Sequence, residues 1–181
     1  MNIERKDKKN SAKDYCLSIV FLSLIILFLL VFTLFFKEDA SKFQWSEKNL
    51  EKMNWEDAVN YCRNLNEGGY SDWKMPSISE LRTLIQNCSD TETGGWCGIT
   101  DECLAKRCRD DSCSGCEAAT DGRYSKLGDT GFHWSASSYT YGTHFAWGID
   151  FQYGYIFSFL KRNRGYVRCV RKIEPTSQNI D

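Results

Sequence analysis

The sequence predicts an α+β domain carried behind a single membrane-spanning helix, and three patterns predict it. Residues 17–36 form an uncharged apolar run. Beyond it, apolar residues fall at helical spacing over 54–86 and then in alternation over 133–171, so helices precede antiparallel strands. Between these halves, residues 87–131 follow neither period and hold six of the nine cysteines.

The apolar run reads LSIVFLSLIILFLLVFTLFF, and at about 1.5 Å per residue it matches the roughly 30 Å of a hydrocarbon core. Arg5, Lys6, Lys8, Lys9 and Lys13 precede it, whereas Lys37-Glu38-Asp39 follows. That bias predicts a cytoplasmic tail over 1–16, a span over 17–36 and the C-terminal domain outside the cytoplasm. The competing reading is a cleaved signal peptide, whose apolar core is shorter and ends at a small-residue site. Cys16 lies before the run and is read as a free thiol, with acylation as the alternative. The remaining length suits one globular domain, and a net charge of −1 provides no long-range field for nucleic acid.

Residues 37–42 read as a linker, and Phe43 and Trp45 as a first strand. Asn54 is a helix N-cap, followed by Trp55, Ala58, Val59, Cys62 and Leu65 on one helical face. Ser77-Ile78-Ser79-Glu80 is a capping box, predicting a second helix that carries Leu81, Leu84 and Ile85 through about Gln86. Strands are predicted over 133–138, 146–153, 155–160 and 166–171, with Trp147, Ile149 and Phe151 facing the core and residues 173–181 forming a tail.

Setting Cys16 aside leaves an even set of eight cysteines: Cys62, Cys88, Cys97, Cys103, Cys108, Cys113, Cys116 and Cys169. Outside the cytoplasm this reads as four disulfides. Cys113-Ser-Gly-Cys116 also admits a zinc site or a thiol-redox pair, although no second CxxC or nearby histidine supports zinc.

The sequence presents no catalytic set. His133 and His144 are the only near-neutral bases, and both read as packing or surface residues. Asp72, Asp129 and Asp150 read as turn caps. Aromatic residues concentrate around the strands: Tyr139, Tyr141, Phe145, Trp147, Tyr153 and Tyr155. Trp147 is read as core, while Tyr139 and Tyr141, in a Ser-Tyr-Thr-Tyr-Gly loop, suit either packing or ligand contact. Lys161, Arg162, Arg164 and Arg168 read as a solvated edge that discourages sheet pairing, with an anion-binding patch as the alternative.

Six motifs in order, Trp55-x-x-Ala58-x-x-Tyr61-Cys62-x-x-Leu65, Gly69-Tyr70-Ser71-Asp72-Trp73-Lys74-Met75-Pro76, Glu80-Leu81, Trp134-Ser135-Ala136-Ser137, Ala146-Trp147-Gly148 and Val167-Arg168-Cys169-Val170-Arg171, resemble the Lcl C-terminal domain family over residues 43–172. The resemblance implies a fold similar to the C-type lectin-like and formylglycine-generating-enzyme superfamily. For the family's namesake, a bacterial collagen-like adhesin, it implies binding to sulfated polysaccharide. It further implies a disulfide between Cys62 and Cys169, leaving fifteen pairings for the other six. Glu-Pro-Asn, Gln-Pro-Asp and Trp-Asn-Asp motifs are missing, so the calcium-dependent sugar site of lectins does not carry over.

The combined expectation is a single-pass bacterial membrane protein whose periplasmic or extracellular domain, over 43–172, binds a polysaccharide or an envelope or surface protein. It is read as non-catalytic, without cofactor, metal or nucleic acid, with the disulfide-bonded insertion together with Tyr139, Tyr141, Arg162 and Arg164 as the candidate contact surface. The alternatives are a structural subunit of an envelope or surface assembly and a redox protein using Cys113 and Cys116.

Overall fold

The computed structural model describes residues 43–173; the predicted tail 1–16, span 17–36, linker 37–42 and the C-terminal residues 174–181 lie outside the described residues. Among the described residues no helix is long and apolar enough to cross a membrane. The architecture is α+β, with two helices, two small antiparallel sheets and four disulfides.

Strand β1 (Phe43–Trp45) pairs antiparallel with the last strand, β5 (Val170–Lys172), so the two ends of the domain are tied together. Helix α1 (Trp55–Asn64) begins where Asn54 Oδ1 accepts the Asp57 N–H at 2.9 Å, satisfying one of the free amides of the first turn. Its inner face buries Ala58 and Cys62 completely. Helix α2 (Ile78–Arg82) starts with the expected capping box: the Glu80 N–H donates to Ser77 Oγ at 3.2 Å, and the Ser77 N–H donates back to Glu80 Oε2 at 2.9 Å.

Helix α2 is shorter than the sequence predicts. Its apolar residues Leu84 and Ile85 are buried as expected, but their backbone leaves the helix. Lys126 N–H donates to Leu84 C=O at 2.8 Å, Gln86 N–H donates to Tyr124 C=O at 3.2 Å, and Ile85 bridges Ser125. The insertion therefore takes the hydrogen bonds that another helical turn would have used.

The main sheet has strand order β2 (Phe132–Ser138), β3 (Phe145–Asp150), β4 (Tyr155–Leu160). The central strand β3 is buried on both faces. Trp147 and Ile149 point into one cluster with Ile78, Leu81, Phe151 and Ile156. Ala146 joins the other, with Ala58, Trp73, Phe132, Trp134 and Val167. Gly148 is required between them, because a Cβ there would strike the His133 carbonyl and the Phe132 ring. Strand β3 stops at Asp150 and not at 153: the Asp150 carboxylate accepts the Gln152 N–H at 2.9 Å and Gly154 turns the chain at φ 61°.

The predicted strand 166–171 divides between two partners. Tyr166 bridges His133 in parallel at the edge of β2, whereas Val170 pairs with both Lys74 and β1. The disulfide Cys62–Cys169 lies under this crossing and joins α1 to the last segment, as the family resemblance implies. The insertion is closed by Cys88–Cys116, Cys97–Cys113 and Cys103–Cys108. Cys113 and Cys116 thus bond to different partners and form neither a CxxC redox pair nor a thiolate pair for zinc.

Two polar groups correct the sequence reading. Asp129, expected as a turn cap, is buried, and Arg168, expected on a solvated basic edge, is buried beside it. The Arg168 guanidinium donates to both Asp129 oxygens at 2.6 and 2.9 Å, and to the Ser46 carbonyl. Burial at this depth excludes an edge role and demands a fixed counter-charge. The rest of the predicted basic run also separates: Lys161 lies 3.9 Å from the Trp55 ring centroid, Arg164 donates to Lys52 C=O at 3.0 Å, and Arg162 is exposed.

Candidate functional site

The insertion stands beside the open edge of the main sheet, and a groove of about 430 Å³ lies between them. Its position follows from one buried side chain. Arg82, the last residue of α2, is 4 % exposed and sends its guanidinium under the insertion, donating to the carbonyls of Thr91, Glu92, Cys97 and Ile99 at 2.8 to 3.0 Å. Four carbonyls in an irregular chain find their partner in one cation. Burial without a carboxylate in ion-pair contact pulls the Arg82 pKa below the ordinary arginine range.

The insertion then returns across the sheet, and the Trp147 indole N–H donates to Leu104 C=O at 3.0 Å. This contact carries the short 3-10 helix Lys106–Cys108 to the mouth of the groove. Lys106 and Arg109 line it from the insertion, Tyr139, Phe145 and Trp147 from the β2–β3 loop and β3, and Tyr155 and Phe157 from β4.

Tyr155 and Phe157 project from the same side of β4 and stack almost in parallel, with centroids 4.7 Å apart and planes 13° apart. Arg109 Nη2 donates to the Tyr155 hydroxyl, and its guanidinium carbon lies 5.4 Å from that ring's centroid. Tyr139 packs edgewise on Phe145 at 6.3 Å and tilts against Trp147 at 5.7 Å. The result is an aromatic trough with two cations on its rim. Such a surface suits a ligand with apolar faces and acceptor or anionic groups along its edges.

The sequence-derived site residues divide. Tyr139 lines the groove, and Tyr141, 72 % exposed, stands 6.4 Å from it with its hydroxyl accepting from Arg107 at 3.3 Å. Arg162 and Arg164 do not line it. Lys106, Arg109 and Phe157 escaped sequence reasoning. The only trace of the cations is the Lys-Arg-Cys-Arg run at 106–109, whose position against the sheet is set by the disulfides and Arg82.

The remaining titratable candidates lie elsewhere. His144 is exposed in the β2–β3 loop. His133 is fully buried; its Nδ1 lies 3.0 Å from Gly131 C=O, while its Nε2 lacks a hydrogen-bond partner and stands 3.8 Å from Asp129. Burial pushes its pKa down to about 4, against the opposing pull of Asp129. It is therefore a neutral core residue at physiological pH. Among the described residues no group of three or more His, Cys, Asp or Glu could hold a metal ion.

The model of the Lcl C-terminal domain matches residues 35–171, which takes in every described element of the fold except the last residue of β5. The chain belongs to that family. No curated protein matches it. Within this Lcl C-terminal domain, the motifs that carry the family resemblance are largely framework: Ala58, Cys62, Trp73, Leu81, Trp134, Ala146, Val167 and Cys169 are all buried. The groove combines framework aromatics from β3 and β4 with cations from the insertion.

Proposed function

We propose that this protein is a non-catalytic binding module, anchored in a bacterial membrane by residues 17–36, whose extracytoplasmic domain holds a polysaccharide in the groove between the insertion and β4. We assign the domain to the C-type-lectin-like group of folds, without the calcium-dependent sugar motifs of lectins. The observation that carries the reading is the stacked pair Tyr155 and Phe157 beside Arg109 and Lys106. Flat aromatic rings take the C–H faces of sugar rings, and the cations take carboxylate or sulfate substituents. Four disulfides favour an oxidising compartment and so an outside location.

The test is a glycan array probed with the detergent-solubilised full chain, followed by titration of the best hits. Tyr155→Ala is expected to weaken binding about tenfold, the contribution of one stacked ring. Arg109→Gln is expected to remove most of the salt dependence. An array without hits, or variants that bind like the parent, defeats the proposal.

A second reading, a structural subunit of an envelope or surface assembly, draws on Trp96. It is 83 % exposed in the insertion, and isolated exposed tryptophans favour protein contacts. Native mass measurement of complexes extracted in mild detergent separates the two: a stoichiometric protein partner lost in Trp96→Ala supports this reading.

A further inference from the structure

The four disulfides differ in what surrounds them. Cys62 and Cys169 are 0 % exposed, Cys97 and Cys113 at most 1 %, and Cys88, bonded to Cys116, is 1 % exposed beneath Gly154. Cys103–Cys108 alone has both residues partly open to solvent. The loop that it closes contains Leu104, whose carbonyl holds the Trp147 indole, and Lys106, which lines the groove; Arg109 follows immediately.

Its two sulfurs lie in different electrostatic settings. Cys103 follows Glu102, whereas Cys108 sits in Lys106-Arg107-Cys108-Arg109. The next carboxylate on either side is engaged elsewhere: Asp101 accepts from Ser77 Oγ at 2.6 Å, and Asp110 accepts the Ser112 N–H at 3.0 Å. Neighbouring cations stabilise a thiolate and neighbouring carboxylates oppose one, so Cys108 is the better leaving group.

We infer that Cys103–Cys108 is a thiol-exchange site that gates the groove: a small dithiol opens it by attack on Cys103, and opening it frees the cationic lining. The attacking thiolate forms a bond to Cys103 Sγ, the Cys103–Cys108 bond breaks, and its electron pair leaves on Cys108 Sγ as thiolate. The second thiol of the reagent, once deprotonated, attacks the reagent's own sulfur in the mixed disulfide and expels Cys103 as thiolate. The protein gains two electrons and the dithiol is oxidised to its cyclic disulfide. The thiol chemistry stands on the domain's geometry alone; the gating of binding rests on the polysaccharide reading given above.

The experiment treats the full chain in detergent with graded dithiothreitol at neutral pH, quenches with iodoacetamide and maps the alkylated peptides. Cys103 and Cys108 are expected to alkylate at least tenfold faster than any cysteine of the other three disulfides. Under a monothiol, glutathione, the adduct is expected on Cys103 with Cys108 free. Simultaneous opening of all four, earlier opening of another disulfide, or the adduct on Cys108 overturns the inference. Dextran sulfate is the binding probe, with its Kd expected to rise at least threefold on selective reduction and equally in the double variant Cys103→Ser/Cys108→Ser. An unchanged Kd overturns the gating. If dextran sulfate binds neither form, the polysaccharide reading fails by itself, and hydrogen exchange over residues 100–109 decides the release. A tenfold or larger acceleration on reduction upholds it and an unchanged rate rejects it.

Discussion

The framework, residues 43–86 and 132–173, and the insertion, 87–131, both bury apolar surface against the same sheet, yet they satisfy their backbone groups by different means. In the framework, strand ladders, a capping box and an N-cap pair the polar groups locally, and tryptophan side chains add long-range ties: Trp134 Nε1 donates to Met53 C=O at 3.0 Å and Trp55 Nε1 to Ser135 C=O at 2.8 Å. In the insertion, ladders give way to isolated turn and bridge hydrogen bonds and to one guanidinium that collects four carbonyls, and three disulfides pin the path. An irregular chain is thus kept ordered by a few strong point constraints, each carrying more of the structure than any single bond of a ladder.

The largest expected effect belongs to the framework's one covalent tie. Replacing Cys62 and Cys169 together by serine removes a link across a sequence separation of 107, which the chain-entropy model rates at about 4.7 kcal/mol. Urea unfolding should show that loss with the insertion's disulfides intact. Next comes the seam between the two regions. Asp129→Asn leaves the buried Arg168 cation without its counter-charge and should cost about 4 kcal/mol in the same assay, whereas an exposed pair such as Arg123 with Asp121 should cost well under about 1. Within the insertion, Arg82→Met strands the carbonyls of Thr91, Cys97 and Ile99, Glu92 C=O keeping the Gly95 N–H, and should cost about 3 kcal/mol, with hydrogen exchange rising over residues 88–100 before it rises in α1. Uniform exchange across both regions would contradict the proposed division of labour.

Acid probes the same seam. His133 has a folded pKa of about 4 against an ordinary 6.5, so the unfolded chain binds its proton first. This histidine has no effect on stability above about pH 6.5; stability then falls with decreasing pH, losing about 3 kcal/mol in all by about pH 4. A His133→Gln variant should flatten that part of the stability profile, and an unchanged profile would remove His133 as its source. Of the disulfides, Cys103–Cys108 has the smallest expected effect: Cys103→Ser/Cys108→Ser opens a loop with a sequence separation of only 5 and should cost about 2 kcal/mol.

Elements whose signals are local were legible in the chain before it was folded. The Asn54 cap, the Ser77 to Glu80 capping box and the alternation through Trp147, Ile149 and Phe151 each need only neighbours within a few positions, and each stands where the pattern places it. The domain's family was legible too, because its motifs are mainly core positions whose spacing records the packing. Tertiary structure alone decided the rest. Helix α2 ends early because a segment some forty positions away takes the Leu84 carbonyl and the Gln86 amide. Arg168 and Asp129 exchange solvent for each other, and Arg82 leaves a helix surface to hold the insertion. The groove was only half visible: its aromatic lining follows strand periodicity, but Lys106 and Arg109 reach it through disulfides whose partners sequence spacing does not encode. A charged side chain's role depends on the dielectric and the counter-charges that folding puts around it, and no local pattern carries that information.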